Sequence, residues 1–333
     1  MLCPSEQSSK YISEQNTAIA AVVAAAKLCE MVQKEVFVQG IEKQDRSPVT
    51  IADFASQALI CRTIASTFPN DAIVAEEDAA SLRRPEMTRC LQQVTRFVKR
   101  VTPDVDAESV LDWIDRGSSE TVKARYWTLD PIDGTKGFLR GDQYAIALAL
   151  IENGEVKLGI LACPSLPLEL DHPEGDRGVL FYAIRNKGAY RRGINQTDVH
   201  SIHVANPNDQ QKLRFVEGVE TAHSDHSKQE ALAQSVGIQA PSIRMDSQAK
   251  YGMIAQGQAA LYLRLPNPAS PNYREKIWDH AAGSILVEEA GGRVTDMRGR
   301  PLQFSTGRSL QENQGIIASN GMLHDAILKA LNA

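Results

Sequence analysis

Apolar residues in the first part of the chain recur at helical spacing. This spacing runs from Ile19 to about Phe37, and Asn16-Thr17 stands just before it as a candidate helix cap. The turn sequence QDRSPVT leads into a second helical pattern, which predicts a helix over about 52–67, and AIVAEED then reads as a short strand that ends in acids. The pattern therefore predicts two helices ahead of the first strand.

Short apolar runs separated by turn residues follow. AIALALIENGEVKLGILACP holds two runs joined by Asn153-Gly154, a strong hairpin signal, and GVLFYAIRNKGAYRR repeats the pattern around Lys187-Gly188. From about residue 200, short strands alternate with helices predicted at 226–236, 247–256, 279–290 and 320–332. We therefore expect helices on an antiparallel sheet over the first ~195 residues, then a second α/β layer.

The expected fold class is α+β, with alternating α/β layers. A chain of 333 residues exceeds one ordinary core, so one large or two modest domains are expected. The division that fits the pattern is a disordered lead-in at 1–15, an N-terminal α+β domain at 16–198 and a C-terminal α/β domain at 199–333.

Composition and charge narrow the class of protein. The chain is 43% hydrophobic with a net charge of −5, which argues against a surface that coats nucleic acid. The 5 cysteines are scattered without a CxxC pair, which indicates reduced thiols in a cytoplasmic compartment. No run of about 18 apolar residues occurs, so no membrane span is expected, and the first fifteen residues lack a secretory signal.

The segment 81–110 carries six basic residues between Arg83 and Arg100. Two interpretations stand. The residues could form an arm that attracts phosphate, or they could be the solvated face of a helix, which is the commoner reason for such a run.

Two carboxylates close a buried strand. Asp130 and Asp133 follow the apolar run Tyr126–Leu129, and an unpaired carboxylate there would be costly. Pro131 stiffens the turn between them and Gly134 permits a tight bend. The two carboxylates and the Ile132 carbonyl could then converge on a cation. Oxygen ligands without histidine or cysteine favour Mg²⁺, although Asp-Pro and Asp-Gly are also common turn formers.

Further acids stand at the ends of other predicted elements. Asp53 is placed in the first turn of a helix, Glu76 and Glu77 end a strand, and Asp279 begins a helix. Taken singly, each has an ordinary structural reading, as a first-turn helix acid or a solvated strand end.

Together, however, the motifs carry a resemblance. The motifs, in chain order, are SPVTIAD (47–53), VAEED (74–78), LDPIDGTKGF (129–138) and WDHAAG (278–283). This set resembles the lithium-sensitive, magnesium-dependent phosphatase superfamily that includes inositol monophosphatase and fructose-1,6-bisphosphatase. Within it, EGVETAHS, DSQAKYG, LYLRLP and YREKIWDHAAG are similar to the 3'(2'),5'-bisphosphate nucleotidases. The resemblance implies a layered αβαβα sandwich.

The resemblance also implies a set of metal ligands. Glu76, Asp130 and the Ile132 carbonyl would hold one Mg²⁺; Asp130, Asp133 and Asp279 would hold a second, and Glu76 could reach a third, weaker ion. Glu77 would support these ligands from behind. Two or three Mg²⁺ per active site are therefore expected, with inhibition by Li⁺ and Ca²⁺.

The roles of the remaining residues are implied in the same way. Asp53 and Thr135 would form the catalytic pair that orients and deprotonates water for in-line attack. His223, Ser247, Lys250 and Arg264, with Thr135 and Asp279, would bind substrate. On sequence alone the commoner reading of Lys250 is a solvated helix lysine, and that of His223 is an ordinary loop histidine. The N-terminal domain would thus carry the metals and the C-terminal domain the substrate.

The expected activity is hydrolysis of the 3'-phosphate of adenosine 3',5'-bisphosphate to AMP, with 3'-phosphoadenylyl sulfate as a second substrate and inositol 1,4-bisphosphate as a possible side substrate. The alternatives are an inositol phosphate phosphatase and a non-catalytic sensor of the bisphosphate; a nucleic-acid-binding module is disfavoured by charge. We expect a cytoplasmic monomer whose partners are small-molecule substrates, with no nucleic acid and no membrane.

Overall fold

A computed structural model describes most of the chain. The described residues are 10–38, 47–170, 172–206, 208–209, 211–219, 226–267, 270 and 272–331. The helices are α1 (Ile12–Val38), α2 (Ser47–Thr67), α3 (Thr88–Val101), α4 (Ala107–Asp115), α5 (Thr135–Arg140), α6 (His226–Ser235), α7 (Ala249–Ala255), α8 (Ala281–Glu289) and α9 (His324–Leu331), with 3₁₀ turns at Pro85–Met87 and Ile277–Asp279.

The strands form two sheets. They are β1 (Ala72–Ala75), β2 (Arg125–Asp133), β3 (Ala145–Glu152), β4 (Glu155–Pro167), β5 (Arg177–Ile184), β6 (Gly188–Gly193), β7 (His200–Ile202), β8 (Phe215–Glu217), β9 (Ile243–Arg244), β10 (Leu261–Arg264), β11 (Arg293–Thr295) and β12 (Ile316–Ser319). The described part of the first sheet has the order β1-β2-β3-β4-β5-β6-β7, and that of the second has β11-β12-β10-β8-β9.

The first sheet follows the sequence prediction with one exception. Strands β2 to β7 are antiparallel, but β1 pairs with β2 in parallel. The connection between them contains α3 and α4, and such a crossover is what a parallel pair requires. The hairpin predicted at Asn153-Gly154 is confirmed, with φ of 53° and 77° at the two residues.

Three apolar clusters define the layers. Cys29 of α1 and Ile60 of α2 pack with Leu148 on one face of the first sheet. The neighbouring Ala147 points to the other face, where α7 and α8 fill the space between the two sheets. Helices α6 and α9 cover the far side of the second sheet, with Ile327 buried there. The order helix, sheet, helix, sheet, helix confirms the expected αβαβα sandwich.

Two helix starts differ from the prediction. Helix α1 begins at Ile12, so Asn16-Thr17 lies within it and the end of the supposed lead-in is helical. Long-range contacts hold this extra turn: the Tyr11 hydroxyl donates to Glu152, 2.5 Å away, and Glu14 pairs with Arg125. Helix α2 begins at Ser47, which places Asp53 in its second turn rather than its first.

Four of the six basic residues of the segment 81–110 lie in α3, while Arg83 and Arg84 precede this helix. This helix buries Val94, Phe97 and Val98, while Arg96 and Arg100 pair at the surface with Glu35 of α1. These contacts agree with a solvated helix face and give no support to a phosphate-binding arm.

Membrane crossing, free thiols and the division into domains are the remaining expectations for the fold. No described helix is both long and apolar enough to cross a membrane. Cys29, Cys61, Cys90 and Cys163 are free thiols, as predicted. Strand β7 lies beyond residue 198 yet pairs with β6 of the first sheet. The division into domains at 198/199 stays a prediction.

The contact between β4 and α8 provides a test of this packing. A Cβ added at Gly159 would lie 2.4 Å from Ile285 Cγ2 and 2.8 Å from the Ala282 carbonyl oxygen. Gly159→Ala should therefore overpack the middle layer and lower the free energy of unfolding by about 1–3 kcal/mol, measured by urea denaturation. Gly218→Ala is the control, because a Cβ there meets nothing within 4 Å. Equal stability of the two variants would contradict this packing.

Candidate active site

The acidic residues gather where two parallel strands end. Ala75, the last residue of β1, pairs with Leu129 of β2, so Glu76 and Asp130 follow at the same edge of the sheet. Between Asp130 and Asp133 the register with β3 shifts. The Ile132 N–H donates to Asp130 Oδ1 at 3.1 Å, which closes a small loop between the two carboxylates. The strand end predicted from the sequence is therefore the place where the acids meet.

Gly134 makes the turn from β2 into α5. Its φ of 89° is left-handed, which a glycine adopts without strain, and Thr135 is the first residue of the helix. A Cβ at this position would lie 3.0 Å from the Ser247 Cβ. The glycine thus lets the turn approach the start of α7.

Gln248 connects this turn to the segment that carries Asp279. Its backbone N–H donates to Asp133 Oδ2 at 2.6 Å, and its side-chain Nε2 donates to the Trp278 carbonyl oxygen at 2.8 Å. Its Oε1 accepts from the Gly283 N–H at 3.2 Å. One buried glutamine therefore fixes Asp133 relative to the 3₁₀ turn that ends at Asp279.

Glu76 is held from two sides. Buried Gln57 binds the backbone of Glu77 in both directions, donating to its carbonyl at 2.6 Å and accepting from its N–H at 3.1 Å. Arg308 donates to the Ala75 carbonyl at 2.6 Å and stacks over the Trp278 ring at 4.7 Å. The Glu76 strand end and the Asp279 segment thus share one arginine.

The acids strongly disfavour ionisation in one another's presence. Burial, followed by the charges of Glu76, Asp133 and Asp279, raises the pKa of Asp130 well above its usual range. Burial and Asp133 raise the pKa of Asp279, although Arg264 opposes them. Burial raises the pKa of Glu76 and, with the charges of Glu77 and Glu76, that of Asp53. A cluster of oxygen donors under such repulsion has the chemistry of a site for a hard divalent cation.

A cavity of about 320 Å³ opens beside this cluster. It is lined by Asp133, Gly134, Thr135, Lys136, Gly218, Asp246, Ser247, Lys250, Tyr262, Leu263 and Arg264. The structure therefore brings Thr135, Ser247, Lys250 and Arg264 to the wall of one cavity, and Asp133 joins the cavity to the acids.

The two cationic side chains in the cavity wall, Lys250 and Arg264, are constrained by burial and by their neighbours. Lys250 is buried, and burial lowers the pKa of its ammonium group to about 8, although Asp133 favours the charged form. Its Nζ lies 5.3 Å from the centre of the Tyr262 ring. Arg264 ends β10 as predicted, and its Nε is 2.7 Å from Glu275 Oε2. Neither residue is an ordinary solvated surface cation.

Some predicted details differ. Ser247 precedes the helix cap of α7, which is Gln248, and has a φ of 67°. Its Oγ nevertheless accepts from the Ala249 N–H at 3.2 Å, as a capping side chain would. Asp53 and Thr135 both lie in the described part of the chain and form no hydrogen bond with each other. His223 lies outside the described residues.

Sequence reasoning missed the residues that position the ligands. Gln57, Gln248, Glu275 and Arg308 were assigned no role, although Gln248 and Glu275 lie inside the quoted motifs DSQAKYG and YREKIWDHAAG. The available signal was a polar residue among positions that are otherwise buried, but the partners are far away in sequence and cannot be read from spacing.

Comparison with known proteins identifies the family. Residues 12–333 match the inositol monophosphatase family. The chain belongs to the inositol monophosphatase family. Among curated relatives of this chain, a 3'(2'),5'-bisphosphate nucleotidase of Oryza sativa is 44% identical to it, with 96% of this chain and 94% of the relative covered. The 3'(2'),5'-bisphosphate nucleotidase of Schizosaccharomyces pombe is 41% identical, with 97% and 96% covered.

Solved structures of the inositol monophosphatase family share the fold. An inositol monophosphatase from Anabaena aligns with a TM-score of 0.59 at 23% identity, covering 95% of this chain and 94% of its own. CysQ from Bacteroides thetaiotaomicron, a bacterial member of the family, aligns with a TM-score of 0.60 at 17% identity, covering 93% and 98%. At these identities the likeness concerns the fold alone.

The crowded acids predict how the metal-free protein responds to pH. Burial, with the charge of Glu76, raises the pKa of Glu77 to about 7, so the folded state keeps this proton longer than the unfolded chain. The resulting stability is complete below the unfolded pKa of about 4.3 and is lost as pH rises through about 7. In EDTA, the melting temperature should therefore fall between about pH 4.5 and 7 and level off above that range.

Glu77→Gln removes the titrating carboxyl. The melting temperature of this variant should therefore fall less steeply over the same pH range than that of the unsubstituted protein. A melting temperature that rises with pH in EDTA, or a slope that the substitution leaves alone, would contradict the raised pKa.

Proposed function

We propose that this protein is a Mg²⁺-dependent phosphomonoesterase that hydrolyses the 3'-phosphate of adenosine 3',5'-bisphosphate to give AMP and phosphate. One observation carries the proposal: Asp133 belongs both to the acidic cluster and to the wall of a cavity that presents Lys250 and Arg264. A bisphosphate needs this combination, because one phosphate reacts while the other is held away from the acids. The names of the Oryza and Schizosaccharomyces relatives support the same activity.

For the metals, we propose the ligands that the family resemblance implies. Glu76, Asp130 and the Ile132 carbonyl would hold one Mg²⁺, Asp130, Asp133 and Asp279 a second, and Glu76 a third more weakly. The all-oxygen donor set and the raised pKa values fit such ions. Bound Mg²⁺ would neutralise charge on the reacting phosphate and acidify water. Li⁺ and Ca²⁺ would inhibit, because one has half the charge and the other demands looser coordination.

We assign water activation to Asp53 and Thr135. The Thr135 hydroxyl lies at the cavity wall and would accept a hydrogen bond from the attacking water while donating its own proton toward the Asp53 carboxylate. This contact requires an ionised Asp53, whereas burial and the neighbouring acids raise the pKa of Asp53 well above its usual range. The pair would therefore form only in the loaded enzyme.

Substrate selection would fall to the cationic wall. Arg264 and Lys250 would bind the phosphate that does not react, Ser247 would add a hydroxyl, and Asp279 would contact the reacting end. His223 is proposed to contact the nucleotide on the resemblance alone. 3'-Phosphoadenylyl sulfate carries a second anionic group in the same position and would be a second substrate. Inositol 1,4-bisphosphate would be a side substrate.

A substrate panel separates this function from its rivals. Release of phosphate from adenosine 3',5'-bisphosphate, 3'-phosphoadenylyl sulfate, inositol 1,4-bisphosphate and inositol 1-phosphate would be measured with Mg²⁺. A higher kcat/KM for the inositol phosphates would make the protein an inositol phosphate phosphatase. Tight binding of the adenosine bisphosphate with no turnover would make it a sensor. A cytoplasmic monomer remains our expectation for the state in which it works.

The acidic cluster should be essential for turnover but not for folding. Asp130→Asn and Asp133→Asn should each lower kcat at saturating Mg²⁺ by more than about tenfold, because an amide cannot supply the carboxylate charge. In EDTA the melting temperature of either variant should match or exceed that of the unsubstituted protein, since repulsion is removed. Asp325→Asn is the control, because Asp325 pairs with Arg293 at the surface. A variant that keeps more than about a tenth of kcat would refute the metal-ligand assignment.

Arg264 should decide between substrates. If it binds the second phosphate, Arg264→Ala should lower kcat/KM about ten- to a hundredfold for adenosine 3',5'-bisphosphate and far less for adenosine 3'-monophosphate, since one charge-assisted contact is lost. Arg264→Lys should recover only part of the loss, because an ammonium cannot form a bidentate fork. Equal losses on both substrates would show that Arg264 has no part in phosphate binding.

A further inference from the structure

Glu275 lies directly behind Arg264. Its side chain is 11% exposed, and its Oε2 is 2.7 Å from Arg264 Nε and 3.3 Å from His280 Nε2. Burial alone would raise the pKa of this carboxyl, but the hydrogen bond from His280 and the positive charge of Arg264 outweigh burial and lower the pKa to about 2. The carboxylate is therefore ionised whenever the protein is folded near neutral pH.

The contact with His280 fixes the protonation of that ring. A carboxylate only accepts hydrogen bonds, so His280 Nε2 carries the proton that faces Glu275. His280 Nδ1 lies 2.7 Å from the Tyr251 hydroxyl, which then donates to it. The negative charge of Glu275 is thus left for Arg264 to balance.

The same hydrogen bonds argue against a separate metal site here. Potential ligand atoms of Glu275, Asp279 and His280 lie within 4.8 Å of one another. Both ring nitrogens of His280 are already engaged, and Glu275 is paired with a guanidinium. Only Asp279 of the three is left for the acidic cluster.

Arg264 has a competing partner on the side of the cluster. A carboxylate oxygen of Asp279 lies within 4.8 Å of one of Glu275, and Glu275 Oε2 is 2.7 Å from Arg264 Nε, so a second acid stands beside the guanidinium. Without Glu275, the guanidinium would be free to turn toward Asp279 and to neutralise an acid that the metals need.

We propose that Glu275 is a positioning residue for substrate discrimination: it holds Arg264 by Nε, so that the guanidinium faces the cavity beside Lys250 instead of pairing with Asp279. This inference rests on the proposed role of Arg264 in phosphate binding. Anchoring through the inner nitrogen sets the plane of the guanidinium, and a planar group must be oriented before it can bind phosphate through two parallel hydrogen bonds. The chemical group selected is the second phosphate or sulfate of the substrate.

A double-mutant cycle tests the inference. Glu275→Ala, Arg264→Ala and the double variant would be compared by the ratio of kcat/KM for adenosine 3',5'-bisphosphate to that for adenosine 3'-monophosphate. Glu275→Ala should lower this ratio about tenfold, mainly through the KM of the bisphosphate. In the Arg264→Ala background the same substitution should leave the ratio where Arg264→Ala has already put it, because Glu275 acts through Arg264.

Two further variants keep the test independent of folding. Glu275→Gln retains size and an accepting oxygen and should restore part of the ratio, which matters if Glu275→Ala does not fold. Glu152→Ala removes another partly buried partner of an arginine, Arg125, at the opposite end of β2 and β3. It should affect both substrates alike.

The outcomes separate the inference from the proposed function. If Arg264→Ala lowers the ratio but Glu275→Ala and Glu275→Gln do not, the positioning role of Glu275 is wrong and phosphate binding by Arg264 stands. If Glu275→Ala lowers the ratio equally with and without Arg264, it acts by another route and the inference also fails. If Arg264→Ala itself leaves the ratio unchanged, the proposed phosphate-binding role fails first.

Discussion

Mutual repulsion among buried carboxylates is the constraint around which this structure is built. Glu76, Asp130 and Asp279 come from three separate segments, and burial together with the neighbouring charges raises the pKa of each. Nothing in their own chemistry favours bringing them together. The two sheets and the helices between them supply the free energy that does so, through a continuous apolar layer between the sheets. A cation bound at the cluster, as we propose, would relieve this repulsion.

The wall of the cavity beside the cluster carries the opposite charge, and its cations are also held in place by the fold. Lys250 is buried, and Arg264 is held by a carboxylate that lies outside the wall of the cavity. Asp133 stands between the two regions, and the buried side chain of Gln248 connects it to the 3₁₀ turn at Trp278. The acidic cluster and the cationic wall are therefore connected to each other. Hydrogen bonds, rather than flexible side chains, set the distance between them.

The sequence was most informative where local chemistry decides the structure. The acids after β1 and β2, the Asn153-Gly154 turn and Arg264 at the end of β10 all follow from patterns a few residues long. The start of α1 could not be predicted, because Tyr11 and Glu14 stabilise it through residues more than a hundred positions away. The positioning roles of Gln248 and Arg308 could not be predicted for the same reason, because only the complete fold brings their partners near.

The contacts of Arg308 with both Ala75 and Trp278 have a consequence for folding during synthesis. Arg308 stands after β11 in the chain, so a ribosome releases it long after the first sheet has emerged. Until then the strand end that carries Glu76 lacks this anchor and the Asp279 segment lacks its neighbour. A nascent chain would therefore expose separate acids of low metal affinity, and the assembled centre would appear only at the last stage of synthesis.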